Sequence, residues 1–570
     1  MLGPSAQRVV DGLIAQAERD NLAEIQWAQL RNLRTGDTDR EARAALVERL
    51  RLLPDAGAQR KFFEPVPTEA DSDALIRWAR RRSRVCLGIL VRAAADPQRA
   101  LAEAAEYCEG YGIAAPTPAA NAAASGRGSI AACLRRVADW KWWKRRGREL
   151  TVRRQERAAI LAGLVHRQAG AYCSDGAVEW RRESSARNAQ MLLGLELVDD
   201  LGNRYPLADA VAASTANPEL RRHELMTRVR GLEELATAGG MVGWFVTWTL
   251  PSRYHARLWS GGANPRYDRT LTPRDGQNEL CAQWARARAW LHRRSVQWFG
   301  LRCVEPHHDG TPHWHLLLWC RPADVALLLK AIYLQAFSES PNEPGAARAR
   351  LEFKRIDASK GSAAGYVAKY VSKNVDGAHV GNVAARDDDG QLALLSTDAA
   401  TAAERIASWS RAWGIRQFQF FGLREARVGV WREFRRLREP LQLHLLEPAR
   451  LAADGGAFAD FVRHLQTVAV ELVRDERSDV SMLTAYGERK PGRVLGLQAD
   501  GGAQAVVTRE RVWSIVRKGA EPAGTESAAP WTRVNNCTRP TPADPFHDPG
   551  PDPNPDPNPD WWADWFPDPA

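Results

Sequence analysis

The stretch WFGLRCVEPHHDGTPHWHLLLWC, residues Trp298 to Cys320, decides how this chain is read. Two apolar runs flank a polar segment that holds Asp309-Gly310, a turn signal, so the stretch reads as a β-hairpin. Side chains alternate across a strand, which points His313 and His315 to one face and Trp314 to the other. Two imidazoles aimed at one point make a natural pair of metal ligands, while Trp314 and Leu316–Leu318 anchor the strand in a core. Taken alone, a His-x-His pair is more often two polar residues on a solvent-facing strand, so the motif by itself is weak.

The hairpin register decides whether a third ligand joins. A two-residue turn at Asp309-Gly310 sets Glu305 opposite Trp314, on the wrong face. A three- or five-residue turn, favoured by Pro312 because it lacks a backbone donor, sets Glu305 opposite His315 on the right face. A carboxylate and two imidazoles with open positions suit Mg²⁺ or Mn²⁺ held for phosphate chemistry. His307 and His308 fall in the turn and read as solvent or DNA contacts rather than ligands.

Some fifty residues on, YVAKYVSKN (Tyr366–Asn374) has helical spacing. Tyr366 and Tyr370 are four apart, on one face and roughly 6 Å apart along the axis. Lys373 continues that stripe, and Lys369 follows Tyr366 by three. Ala364, Val367, Ala368, Val371 and Val375 form a separate apolar stripe that can bury the helix, so the tyrosines need not be core residues. Tyrosine can attack a phosphodiester and hold it as a phosphotyrosine. With an ordinary pKa of about 10 it needs a metal-bound phosphate or nearby lysines to do so. Two tyrosines that merely pack beside a helix would produce the same nonapeptide.

Outward from these motifs, the chain has 570 residues, enough for several domains, and a formal net charge of +10 that favours polyanionic partners. Its eight cysteines are scattered with no Cys-x-x-Cys pair, which suits reduced thiols rather than a disulfide framework or a structural zinc site. The N-terminal residues lack a signal-peptide core, and no apolar run approaches the roughly 20 residues of a membrane span, so the expected setting is the cytoplasm. Residues 1–235 read as mainly helical. They contain DWKWWKRRGRELTVRRQER (Asp139–Arg157), either an amphipathic helix with core tryptophans or a base-stacking, phosphate-tracking face. Over 236–440, strands at GWFVTWTLPS, Trp298–Pro306 and His313–Cys320, with later strands or strand-like edges at Ile415–Gly422 and Arg427–Phe434, mix with helices and give an α+β class. Residues 441–535 are less informative: GAFADFVRHLQTVAVELVRD reads as one amphipathic helix, with short strands or helix beyond. Residues 536–570, ending PDPNPDPNPDWWADWFPDPA, cannot pack a core and read as a disordered acidic tail.

A strand His-hydrophobic-His followed by a helical Tyr-x-x-x-Tyr-x-x-Lys is a rare combination. It resembles the bacteriophage replication gene A proteins, rolling-circle initiators within the His-hydrophobic-His endonucleases. FVTWTLPSRYH (Phe245–His255) is similar to the family's first motif, although Trp248 stands where a smaller apolar residue is expected. ANPELRRHELMTRVRGLEELA upstream and IRQFQFFG with VWREFRRL downstream are also similar, so the resemblance covers roughly residues 135–440. It implies a central antiparallel sheet with an RRM/ferredoxin-like nuclease core. It further implies that His313, His315 and Glu305 hold a Mg²⁺ or Mn²⁺ ion against a scissile phosphate in single-stranded origin DNA. Tyr366 and Tyr370 are then alternating nucleophiles, and Lys369 and Lys373 contact the DNA phosphate or steady the phenolate. Host polymerase and helicase are the implied partners, with no membrane.

Relaxases and single-tyrosine transposases are the nearest rivals, but relaxases place their tyrosine ahead of the histidines. A non-catalytic nucleic-acid-binding or phage structural protein, and a metal-dependent hydrolase that forms no covalent link, are the others.

Overall fold

Every residue from Pro312 to Cys320 is buried, which only a central strand covered on both faces allows. In the computed structural model, which describes residues 66–67, 72–118, 128–357, 362–375, 399–441, 445–475, 483–490, 492–499 and 504–520, that strand sits in the middle of the largest sheet. Numbered along the chain, the strands are β1 Leu195–Asp199, β2 Arg204–Pro206, β3 Val242–Trp248, β4 Trp298–Pro306, β5 Pro312–Cys320 and β6 Leu351–Arg355, followed by β7 Phe418–Phe421, β8 Val470–Arg474, β9 Val494–Ala499, β10 Gln504–Val507 and β11 Trp513–Arg517. The main sheet is antiparallel with order β6-β3-β5-β4-β7, and two three-stranded sheets, β11-β1-β2 and β10-β9-β8, lie outside it. The fold class is α+β, as the sequence predicts.

The alternation read in β5 separates two cores. Trp314, Leu316, Leu318 and Cys320 join Val246, Trp248 and Val304 on one face, beneath the helices Trp140–Ala162, Pro273–His292, Val325–Ala336 and Ala399–Trp413. Leu317 and Trp319 join Phe245, Phe299, Leu301 and Cys303 on the other, beneath the helices Pro218–Ala238 and Ala363–Val375. His313 and His315 belong to this second face, so the tyrosine-bearing helix lies over the histidines. Trp248, unexpectedly large for its place, is fully buried against Trp284 and Trp314 in the first core.

Several sequence expectations need correction. Arg427–Phe434 is not a strand: Val428–Phe434 is helical, because Val430, Trp431 and Phe434 form an i, i+1, i+4 face buried against Phe458 and Phe461. The predicted helix after Gly455 ends at Thr467, and β8 begins at Val470, where β-branched residues alternate. The helical region before 235 includes the pair β1 and β2, which is completed by β11 from more than 300 residues away. Within Asp139–Arg157, Trp142 and Trp143 are buried in an aromatic cluster with Trp78 and Tyr111, which is the core reading of that stretch. Residues 1–65 and 521–570, including the acidic tail, lie outside the described residues.

Gly300 shows how tightly β4 and β5 meet: a Cβ there would collide with the Leu317 carbonyl oxygen and crowd the Leu318 side chain. Gly300→Ala is therefore expected to destabilise the protein by about 2 kcal/mol or more, measured as a lowered denaturation midpoint with unchanged slope.

Candidate metal centre

Pro306 and Pro312 pair across the mouth of the β4–β5 hairpin. Neither has a backbone N–H, so the ladder stops there and leaves the five-residue turn His307–Thr311. Inside the turn Asp309 accepts from the Thr311 N–H at 3.1 Å, and His307 donates its N–H to the Thr311 carbonyl at 2.7 Å. Gly310 takes φ +85°, a conformation that favours glycine, and its carbonyl accepts from the Trp409 indole at 2.8 Å. The turn is thus nailed to the helix Ala399–Trp413 behind it.

This register puts Glu305 directly opposite His313, with Cys303 opposite His315. The sequence reading set Glu305 opposite His315 for a three- or five-residue turn; the five-residue turn between Pro306 and Pro312 instead pairs it with His313, two residues away on the same face. Glu305, His313 and His315 are 1 %, 2 % and 3 % exposed, and one ligand atom from each lies within 4.8 Å of the others. The two Nε2 atoms are 3.0 Å apart, and a Glu305 carboxylate oxygen is 3.9 Å from His315 Nε2. Two cis ligands at about 2.1 Å from an octahedral ion stand about 3 Å apart, so the imidazole spacing fits a shared divalent cation. His315 Nδ1 lies 3.4 Å from the Thr247 hydroxyl on β3, a contact that turns Nε2 towards the centre.

The sequence reading missed the groups behind Glu305. Asn374 donates its amide to the Glu305 carboxylate and to the Tyr370 carbonyl, the latter at 2.7 Å, and its own oxygen accepts from Gln417 Nε2 at 2.9 Å. Asn374 follows Tyr370 by four residues, a signal available in the sequence; Gln417 reaches the site only through tertiary contact. Such supporting hydrogen bonds typically govern metal affinity by about 10–100-fold. Asn374→Ala is accordingly expected to weaken Mn²⁺ binding by that factor in calorimetric titration, with the fold retained.

Tyr370 corrects another expectation. It is 5 % exposed and packs its ring 4.2 Å from that of His315 and 5.3 Å from that of Phe245. The predicted apolar stripe holds, with Ala364, Val367 and Val371 buried, but Tyr370 is buried with them over the candidate ligands. Tyr366, Lys369 and Lys373 are carried by the same helix, Ala363–Val375, and their side chains lie outside the described residues. His307 and His308 are half-buried rather than solvent-facing. The His307 ring sits 4.1 Å from that of His313 and 5.0 Å from that of His255. Burial first, then His313 and His255, hold the His307 imidazole well below its usual range. Burial would raise the Asp309 carboxyl, but His255, 3.4 Å away, and the two turn histidines keep it well below the ordinary carboxylate range.

A buried carboxylate and two imidazoles on an antiparallel sheet, roofed by a helix that carries paired tyrosines, form a group that could hold a metal ion. Residues 96–378 match the family model of the bacteriophage replication gene A protein. Over that stretch the chain belongs to the bacteriophage replication gene A protein family. It is 37% identical over 430 residues to the replication gene A protein of Escherichia phage 186, covering 72% of this chain and 60% of that protein. It is 34% identical over 435 residues to the replication gene A protein of Escherichia phage P2, covering 72% and 56%. A probable replication endonuclease from a prophage-like region of Salmonella paratyphi A is 32% identical over 424 residues, covering 70% and 51%. The chain therefore spans between about half and three-fifths of the length of these relatives. No solved structure matches it. Among the described residues, no helix is long and apolar enough to cross a membrane.

Proposed function

We propose that this protein is a phage or prophage rolling-circle replication initiator, a metal-dependent endonuclease that nicks and rejoins one strand at the origin through tyrosine. The observation that carries the reading is the buried Glu305–His313–His315 cluster with Tyr370 packed on His315. His313, His315 and Glu305 would hold Mg²⁺ or Mn²⁺, which when bound supplies Lewis-acid polarisation of the scissile phosphate. Tyr366 or Tyr370 attacks phosphorus with its phenolic oxygen. The P–O3′ bond breaks, the phenolic proton is lost to solvent, and the leaving oxygen becomes a free 3′-OH on protonation. One ester is exchanged for another, so the later reversal needs no ATP. After synthesis the second tyrosine cuts the regenerated origin, and the 3′-OH released there attacks the first phosphotyrosine and closes the displaced strand.

In this reading Lys369 and Lys373 steady the phosphate or the phenolate, and residues 236–440 carry the chemistry. The helical region before them contributes to duplex binding. Host polymerase extends the 3′-OH and a host helicase opens the duplex, both in the bacterial cytoplasm. Family membership and the endonuclease name of a prophage relative support this assignment.

The test is incubation of the full chain with candidate single-stranded origin DNA and Mn²⁺. An adduct that survives SDS and disappears when EDTA replaces Mn²⁺ is expected. Cleavage without an adduct would make the protein a hydrolase instead, and the absence of both on every phage or prophage origin strand tried would overturn the proposal.

A further inference from the structure

An exposed tryptophan stands beside the candidate centre without a part in the chemistry above. Arg257 and Ala263 pair as a β-bridge, and the Leu258 N–H donates to the Gly262 carbonyl at 2.8 Å, closing a small hairpin. Gly261 turns it at φ +86°, and a Cβ there would press on the Gln168 side-chain oxygen at 3.1 Å. Leu258 and Trp259 at the tip are 44% and 48% exposed. A large indole left half in water on a braced hairpin offers an aromatic surface to a partner.

Two contacts tie this hairpin to the site. Its root donates the Arg257 N–H to the Asp309 carboxylate at 3.3 Å, inside the turn that sets the Glu305 register. Its tip puts the Trp259 ring 5.7 Å from His308, whose neighbour His307 stacks on His313. The Arg167 guanidinium lies 4.9 Å from the Trp259 ring centroid. Arg257, Arg266 and Arg269 lie close to the hairpin in sequence, while Arg253 is held by Glu339. An exposed aromatic ring with the Arg167 guanidinium beside it, a few rings from the proposed phosphate-handling centre, matches the chemistry of an unpaired nucleotide: the base stacks and the phosphate pairs with arginine.

We infer that the Leu258–Gly262 hairpin is a stacking platform for a base of single-stranded DNA, with Trp259 as its surface and Arg167 on the adjoining phosphate. The inference rests on the proposed function for its substrate. The platform would hold the strand beside the metal turn and leave paired DNA, whose bases are already stacked, unread.

The test measures binding by the full chain of a fluorescein-labelled single-stranded oligonucleotide, in EDTA so that nicking is silent. Trp259→Ala is expected to weaken this binding about tenfold, the usual loss for one stacked base, while Trp259→Phe keeps most of the affinity. The same substitution should leave affinity for the matching duplex unchanged. Arg167→Ala should lower the salt dependence of single-strand binding by about one phosphate contact. An unchanged single-strand affinity for Trp259→Ala overturns the inference, whatever else docks there, and so does an equal loss on duplex. Because the readout is binding without metal, a chain that passes this test yet forms no adduct overturns only the catalytic reading. A chain that forms adducts but ignores Trp259→Ala overturns only the platform.

Discussion

With His313→Ala and His315→Ala combined, Mn²⁺-dependent nicking of an origin strand is expected to fall at least about a thousandfold, near 4 kcal/mol of lost transition-state stabilisation. The argument is geometric. The two Nε2 atoms sit 3.0 Å apart on a strand buried along its whole length, and without them only Glu305 remains of the three-residue group. Glu305 keeps its Asn374 hydrogen bond in the double variant, which leaves the carboxylate satisfied and the hairpin intact. The fold and the metal effect are therefore separable. Wild type should gain thermal stability on addition of Mn²⁺, because an ion that binds only the native state stabilises it by mass action. The variant should melt cooperatively and show no such gain. Nicking that survives at wild-type rates in a variant with no Mn²⁺-linked stabilisation would remove these histidines from the mechanism.

The parts of this site that rest on local period were legible in the sequence. Alternation along His313–Cys320 fixes which residues share a face, and four-residue spacing fixes that Tyr366 and Tyr370 share a helix side. Register was legible only to within two residues, because the pairing of Pro306 with Pro312 depends on where two donor-less residues meet. That uncertainty spared the conclusion, since a two-residue shift preserves the face. Arg427–Phe434 was misread because Val428 and Val430 alternate while Val430, Trp431 and Phe434 also make a helical face; packing against Phe458 and Phe461 decides between them. Gln417 and the β1–β11 pairing were out of reach, since each depends on contacts between segments far apart in sequence. The burial of Tyr370 is the most instructive of these. An apolar stripe sufficient to bury the helix did not exclude a further residue from the core, because His315 and Phe245 offered it aromatic partners.

Replacing Tyr366 and Tyr370 together by phenylalanine is expected to abolish the SDS-stable protein–DNA adduct, while each single replacement keeps it. Phenylalanine at 370 retains the ring that packs on His315 and Phe245 and removes one oxygen, so the helix should stay seated over the cluster. On the proposed mechanism, what is lost is the nucleophile alone. A tyrosine ester conserves the energy of the broken phosphodiester, so one tyrosine suffices to cut and hold a strand. Closing a circle needs two: the first is still esterified to the 5′ end when the regenerated origin must be cut. The single variants should therefore form adducts on an oligonucleotide carrying one origin site, yet fail to release a joined product from a substrate carrying two. On the proposed ligand set of Glu305, His313 and His315, Mn²⁺ binding should be close to wild type in all three variants. An adduct persisting in the double variant would assign the nucleophile to another residue. Joined product from either single variant would show that one tyrosine can serve both steps, and the paired-tyrosine mechanism would then have to be given up.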